Sequence, residues 1–217
     1  MRVLGNLDKY LEHQNKGFLP KELEQFRHGV RWPVDLENVP FAFGCVHLEE
    51  YCLPSKSVET HHGIDIIASP GTEVFAPEDC ELLLAVKEER IGKEKADLII
   101  QGSETRIIYF LGHLDYDSFP EKIKNMVRSG SHQNFDYLNS FSIEKDEILG
   151  EVGEWPFKRL AYSGSENLSL AEEVLGDYDH HLHISTTFLP ENKINKFHLF
   201  DWKNEFNPYL IFKRLKG

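Results

Sequence analysis

A series of short apolar runs, separated by turns, extends along the chain from residue 58 onward. The runs are EVFAP, ELLLAVKEE, ADLIIQG, TRIIYFLGHL, DEILGEVGEW and HHLHISTTFL. Short runs of this kind, separated by turns that often contain glycine, are typical of β-strands. We therefore expect a mainly β fold, built as an antiparallel sheet or a barrel-like sandwich.

Helical structure is expected in only a few places. Residues 1–40 predict a helical and extended prefix, because Pro20 can occupy a first helical position and Gly29 can end the turn. Further along, Ser118 and Glu121 have the spacing of a capping box, which predicts a helix inside a loop of the β domain.

The charge of the chain argues against a nucleic-acid partner. The formal net charge is -12 at pH 7, whereas binding to phosphates requires a basic surface.

The three cysteines are Cys45, Cys52 and Cys80. Their odd number and their spacing give neither a disulfide framework nor a thiolate zinc motif, so we expect reduced thiols.

No segment approaches the length of a membrane span, so we expect no membrane-spanning helix. The N-terminal stretch MRVLGNLDKYLEHQNKG is too charged, and its apolar part too short, for the core of a signal peptide. The sequence as written therefore predicts a cytoplasmic protein. A chain from which a leader had been removed would look the same and would act outside the cytoplasm.

Histidine and carboxylate occur close together in HHGID, at residues 61–65. Side chains at positions i, i+2 and i+4 of a strand share one face. His61, Gly63 and Asp65 stand in this relation if the segment is extended, and the glycine would leave room for an ion. His62 would then point to the other face.

A second pair of histidines lies far downstream, in DHHLHIST. The same alternation puts His181 and His183 on one face of a strand and turns Leu182 to the core. Imidazole nitrogen and carboxylate oxygen are ordinary zinc ligands. Each motif is weak evidence by itself, but the two motifs together predict a metal site.

Several blocks of the sequence, in the same order, resemble those of the lysostaphin-like (LytM-type) zinc metallopeptidases. The blocks are HHGIDIIASPGTEVFAPEDCELL, IIYFLGHLD, DEILGEVGEW, HHLHIST and FNPYLIF. The resemblance covers roughly residues 40 to 212. It implies the duplicated hybrid motif fold of that family, an antiparallel barrel-sandwich core.

The resemblance also implies a function and a set of site residues. It implies His61, Asp65 and His183 as the ligands of one zinc ion per chain, and His113 and His181 as catalytic histidines. Three protein ligands leave one zinc position open for water, as in catalytic sites. The implied activity is that of an endopeptidase that hydrolyses a peptide bond through a metal-activated water, with cell-wall peptide (peptidoglycan) as one expected substrate. Neither the substrate-binding residues nor the oligomeric state can be inferred.

The alternation of residues before His113 also supports its position in the site. Ile107, Tyr109, Leu111 and His113 occupy alternate positions, so we expect His113 to end the inward face of a strand.

The chain departs from the family in its loops. We expect a metallopeptidase-like β domain at residues 41–217, after the prefix at 1–40, with insertions at about 115–142 and 156–178. Long loops near a site often belong to lids or to substrate binding, so we expect the insertions to cover part of a groove.

Two other functions remain open on the sequence. One is a non-catalytic zinc-binding or interaction module of the same fold, which would typically have lost a ligand or a catalytic histidine. The other is a histidine phosphocarrier of the sugar-transport system, which shares the fold and uses paired histidines. A phosphocarrier needs no aspartate in the first block, so Asp65 favours the peptidase over the phosphocarrier.

Overall fold

The computed structural model of the chain shows a mainly β protein, which confirms the predicted fold class. The structure describes residues 19–36, 42–43, 50–52, 58–60, 62–90, 93–129, 141–154, 180–188 and 205–213. Within these ranges the strands are β1 Ala42–Phe43, β2 Glu50–Cys52, β3 Val58–Thr60, β4 Ile64–Ile67, β5 Glu73–Phe75, β6 Cys80–Arg90, β7 Lys93–Gly102, β8 Ile107–Leu114, β9 Arg128–Ser129, β10 Ser142–Ile143, β11 Ile148–Glu151 and β12 His181–Phe188.

Eight strands form one sheet, in the order β1, β4, β12, β8, β7, β6 and β10, with β9 also paired to β6. All pairs of this sheet are antiparallel except β6 with β9. Two small two-stranded sheets, β5 with β11 and β2 with β3, complete the described strands. The order puts β12, from late in the chain, between β4 and β8, so segments distant in sequence become neighbours.

The main hydrophobic core lies against one face of the large sheet. Alternate residues of the central strands face it, including Ile64 and Ile66 of β4 and Leu182 and Ile184 of β12. A smaller cluster lies on the other face of β6, β7 and β8 and contains Leu83, Leu84, Val86, Ile99 and Ile108. The residues between the core positions of β4 and β12 therefore point away from the main core.

Residues of the predicted prefix are part of the same core. A 3-10 helix runs from Lys21 to Phe26, directly after Pro20, and its Leu23 side chain is buried. This agrees with the helical turn expected there. Beyond it, Val30 forms a parallel bridge with Phe212.

The predicted capping box is wrong. The helix α1, Glu121–Lys124, is a single turn that follows Pro120 and has no side-chain cap. The Ser118 hydroxyl instead donates to the backbone O of Asp115 (2.7 Å) and accepts from the backbone N of Glu151 (2.8 Å). The hydroxyl is therefore used to attach this loop to β11.

This part of the first insertion packs inward. Phe119 is 2% exposed and Ile123 is 0% exposed, and both belong to the main core. The segment that was expected to act as a lid is therefore anchored in the core at these residues. The second insertion, at 156–178, lies outside the described residues.

Among the described residues, no helix is long and apolar enough to cross a membrane. The buried Cys80 is a free thiol.

Candidate active site

Strand pairing brings Asp65 and His183 into contact. The two residues are directly opposite each other in the β4–β12 pair, and His183 is opposite Gly112 in the β12–β8 pair. Oδ1 of Asp65 lies 2.8 Å from Nδ1 of His183. Asp65 is buried, at 4% exposure, and His183 is partly buried. Two predicted metal ligands thus lie on the sheet face opposite the main core.

His181 joins them on the same strand face, as the alternation predicts. Its Nε2 lies 3.7 Å from Oδ1 of Asp65, and the residue is 5% exposed. Leu182, between the two histidines, is completely buried in the main core. The third predicted ligand, His61, lies outside the described residues.

His113 reaches this group through a β-bulge, and not through the alternation predicted from the sequence. Leu111 pairs with Leu98 and Leu114 with Ala96, so two residues of β8 stand opposite one of β7. His113 has a φ of 69°, in the left-handed region. The prediction that His113 continues the inward face of Tyr109 and Leu111 is therefore wrong, because a bulge shifts the parity of a strand.

The bulge turns the His113 imidazole toward the other histidines. Its ring centroid lies 4.7 Å from that of His181, with the planes at 80°, and 6.0 Å from that of His183. Gly112 makes this arrangement possible. A Cβ at Gly112 would lie 2.8 Å from Cε1 of Phe110 and 3.4 Å from Cβ of His183, so a larger residue would crowd the site.

Asp97 holds the bulge in place. Its Oδ1 accepts a hydrogen bond from the backbone N of His113 at 3.1 Å. Asp97 is the β7 residue that lies opposite the two bulged residues of β8. This role could not be predicted from the sequence, because it depends on which strand pairs with β8 and in which register.

The surroundings of His113 lower its pKa well below the usual value of 6.5. Burial is the largest cause, and the electrostatic effects of His181, Lys95 and His183 act in the same direction, against the opposing effect of Asp65. A histidine with a lowered pKa is neutral at pH 7, so His113 can accept a proton there.

Gly63 has a different role from the one predicted. Strand β4 begins at Ile64, and Gly63 has a φ of 133°, which does not continue the strand. A Cβ at Gly63 would lie 2.4 Å from the backbone O of Ile184 and 2.7 Å from Oγ of Ser185. The glycine thus leaves room for the backbone of β12.

Ser185 and His62 make contacts at the edge of the site. Oγ of Ser185 lies 3.0 Å from Nε2 of His183, and the same hydroxyl donates to the backbone O of His62. The His62 ring lies 2.7 Å, through Nδ1, from Oε2 of Glu205. No role was predicted for Ser185, although its position two residues after His183, on the same strand face, was a usable signal.

Tyr109 does not belong to the site. Its side chain is completely buried, and its hydroxyl donates to Oε1 of Glu78, which also accepts from Oγ1 of Thr105 at 2.6 Å. Burial and the Glu78 carboxylate raise the pKa of Tyr109 well above its usual value. Its neutral hydroxyl therefore makes a hydrogen bond to Glu78 on the core side of β8, opposite the side that carries the histidines.

An open cleft of about 390 Å³ lies beside the end of β8. Its lining residues are Pro70, Gly71, Asp115, Asp117, Val152, Gly153 and Glu154. The backbone N of Gly153 donates to the backbone O of His113 at 2.9 Å, so the cleft wall is attached to the bulge. A cleft of this size is in the range of small-ligand sites.

Within the described residues, no group of three or more His, Cys, Asp or Glu side chains has the arrangement of a complete metal site. Asp65 and His183 supply two donors of the types that zinc prefers, 2.8 Å apart. His113 and His181 add two imidazoles beside them. This group can bind a cation through its acceptors and can transfer protons through its histidines.

No protein-family model matches the chain, and no curated protein matches it. Among solved structures, the chain is similar to the catalytic domain of the antimicrobial peptidase lysostaphin from Staphylococcus simulans (18% identity, TM-score 0.41, 77% of this chain and 89% of that chain). It is also similar to the solution structure of lysostaphin (16% identity, TM-score 0.44, 88% of this chain and 58% of that chain). A third similar structure is that of Helicobacter pylori Csd3 (15% identity, TM-score 0.42, 87% of this chain and 36% of that chain). The chain thus spans 36% of the Csd3 chain and 58% of that lysostaphin chain.

Proposed function

We propose that this chain is a zinc-dependent endopeptidase. The observation that carries the proposal is the contact between Asp65 Oδ1 and His183 Nδ1, at 2.8 Å, with the rings of His181 and His113 beside it. The sequence blocks that resemble the lysostaphin-like peptidases supply the roles. Three of these blocks contain the strands β4, β8 and β12, which are neighbours in the sheet and meet at the site.

Asp65 and His183 would hold the metal, together with His61 by resemblance. A carboxylate oxygen and an imidazole nitrogen suit zinc, and a site with three protein ligands is the catalytic type. When bound, zinc lowers the pKa of a water molecule to about 7 and so supplies a nucleophile at neutral pH.

The remaining two histidines would handle protons. His113 is neutral at pH 7 because its pKa is lowered, so it is suited to accept the proton of the attacking water. His181 lies between His113 and Asp65, where it is suited to stabilise the negative charge that develops on the carbonyl oxygen of the substrate. Both residues act as side chains fixed by the sheet, which holds their positions relative to Asp65.

The proposed substrate is a peptide, with the peptides of bacterial cell wall as the first candidates on the basis of the sequence resemblance. The cleft next to the His113 bulge would provide the space for it. We further propose that residues 41–217 form the peptidase domain, with insertions at about 115–142 and 156–178. Residues 19–36 complete the core of that domain, since their apolar side chains belong to the main cluster.

The proposal is tested by metal analysis together with hydrolysis. Protein purified without chelator should contain about one zinc per chain and should cleave purified peptidoglycan or a member of a peptide panel. Removal of zinc by chelator should abolish cleavage, and added zinc should restore it. Zinc binding without cleavage of any substrate would support the non-catalytic zinc module, and absence of zinc would contradict both functions.

A further inference from the structure

Ser185 makes two polar contacts that together require a hydrogen on Nε2 of His183. The residue lies on β12 and is 1% exposed. Its Oγ is 3.0 Å from Nε2 of His183, and its hydroxyl donates to the backbone O of His62. A hydroxyl has one hydrogen, and a backbone carbonyl can only accept.

The count of hydrogens fixes the direction of the second contact. Because the Ser185 hydrogen is directed to His62, Ser185 can only accept from His183, and Nε2 of His183 must carry the proton. In neutral imidazole the other nitrogen is then an acceptor. In this neutral form, which metal binding requires, Nδ1 presents a lone pair toward Oδ1 of Asp65, 2.8 Å away.

We propose that Ser185 is a positioning residue that fixes the tautomer of His183 and thereby presents Nδ1, with the Asp65 carboxylate, to a divalent cation. The inference rests on the proposed function, in which that cation is zinc. Two acceptors as close as Nδ1 of His183 and Oδ1 of Asp65 need a positive charge between them. A hydrogen bond at the other ring nitrogen, here Nε2, commonly orients an imidazole that binds a metal. The same hydroxyl links β12 to residue 62, next to the proposed ligand His61.

The three side chains could also be taken for a Ser-His-Asp nucleophile system, but the surroundings of Ser185 exclude this use. In that system the serine hydrogen is directed to the histidine, whereas here the hydroxyl donates to His62. A Cβ at Gly63 would lie 2.7 Å from Oγ of Ser185. Among the described residues, Ser185 is 1% exposed, so its hydroxyl is not accessible to a substrate carbonyl.

The test compares zinc-loaded protein with and without the hydroxyl. In protein labelled with 15N-histidine, NMR should show the His183 proton on Nε2, protected from exchange with water, and none on Nδ1. The His183 signals are those missing from the His183→Ala spectrum. In Ser185→Ala this proton should exchange faster, and the zinc dissociation constant should rise by about 10- to 100-fold.

Thr186→Val is the matched control. Thr186 is a buried residue of the same strand whose Oγ1 donates to the backbone O of Phe206 at 2.9 Å, but it is on the core side, away from His183. This variant should keep the zinc affinity and the protected Nε2 proton. A general weakening of β12, unrelated to the tautomer, would instead affect both variants alike.

A His183 proton on Nδ1, or a Ser185→Ala protein with unchanged zinc affinity and an equally protected Nε2 proton, would overturn the inference. Failure of the proposed function gives a different result. Zinc binding with the expected tautomer and no hydrolysis of any peptide would contradict the peptidase and support the role of Ser185. Absence of zinc binding in the wild type would contradict both.

Discussion

The backbone N of His113 donates to Oδ1 of Asp97 at 3.1 Å, at the point where two residues of β8 face one residue of β7. This hydrogen bond stabilises the bulge, and the bulge determines the direction of the His113 imidazole. The position of a proposed catalytic histidine thus depends on a carboxylate of the neighbouring strand.

Replacement of Asp97 should therefore reduce turnover without removal of the metal. In Asp97→Ala the His113 N–H loses its acceptor, which should reduce the free energy of unfolding by about 1–3 kcal/mol. A displaced His113 ring should lower kcat by about 10- to 100-fold. Asp97→Asn keeps an oxygen acceptor and should remain close to the wild type in kcat. Wild-type kcat in Asp97→Ala, at unchanged zinc content, would show that the bulge does not need this contact.

His113→Ala and His181→Ala should each retain zinc and lose turnover. Neither histidine is a proposed ligand, and loss of a general acid or base costs on the order of 10²-fold or more in rate. The measurements are kcat and zinc content for each purified variant. His28→Ala is the control, because His28 lies against the backbone O of Phe212 and has no place in the site. The catalytic assignment is wrong for any variant that hydrolyses substrate at the wild-type rate.

Two glycines with positive φ should differ in their tolerance of alanine. At Gly63 the new Cβ would meet the backbone of β12 at 2.4 Å, whereas at Gly71 the nearest atom is Oε2 of Glu151, at 3.8 Å. Gly71→Ala should cost about 1 kcal/mol for backbone strain alone, and Gly63→Ala about 3–5 kcal/mol for strain and overpacking together. Urea denaturation of both variants measures the difference. Equal costs would mean that β12 can move away from Gly63.

The free energy of unfolding should decline as the pH falls through 6.5, the usual pKa of histidine, in part because of His113. Its pKa in the folded protein is lowered, so the unfolded chain takes up this proton first, near pH 6.5, and folding becomes less favourable toward acid. For one proton the slope is at most about 1.4 kcal/mol per pH unit. Well above pH 6.5, where the imidazole is neutral in both states, the contribution is complete and no longer changes.

The measurement is the free energy of unfolding against pH, with chelator present so that release of metal does not contribute. His113→Gln should show a shallower decline between pH 7 and pH 5 than the wild type. Parallel curves for the two proteins would mean that His113 titrates alike in the folded and unfolded states.

Local alternation was sufficient to predict one part of the site. His181 and His183 share a face because β12 is regular from His181 to Phe188, and Leu182 is buried between them as expected. The mainly β fold was predicted for the same reason, since short apolar runs reflect burial on the faces of a sheet. These properties depend on residues close together in sequence.

Properties that depend on pairing between strands were not predicted. The bulge at His113 arises from the register of β8 against β7, and the conformation of Gly63 arises from its contact with β12. Ser118 was expected to cap a helix, but the backbone of β11 competes for its hydroxyl. In each case a partner distant in sequence decides the conformation, and the local pattern contains no information about that partner.

The bridge between Val30 and Phe212 has a consequence for the order of events in folding. The Trp32 ring stacks on Phe212 with centroids 4.6 Å apart, and its Nε1 donates to the backbone O of Lys213, a residue 181 positions away. Contacts of such long range form slowly, because the intervening chain must first be brought into a loop. A nascent chain that still lacks residue 212 would leave Trp32 without this partner, so we expect the core to close only late in synthesis. Trp32 fluorescence in stalled nascent chains of increasing length, with the other two tryptophans replaced by Phe, would detect the step, and a native signal in chains that end before residue 205 would contradict it.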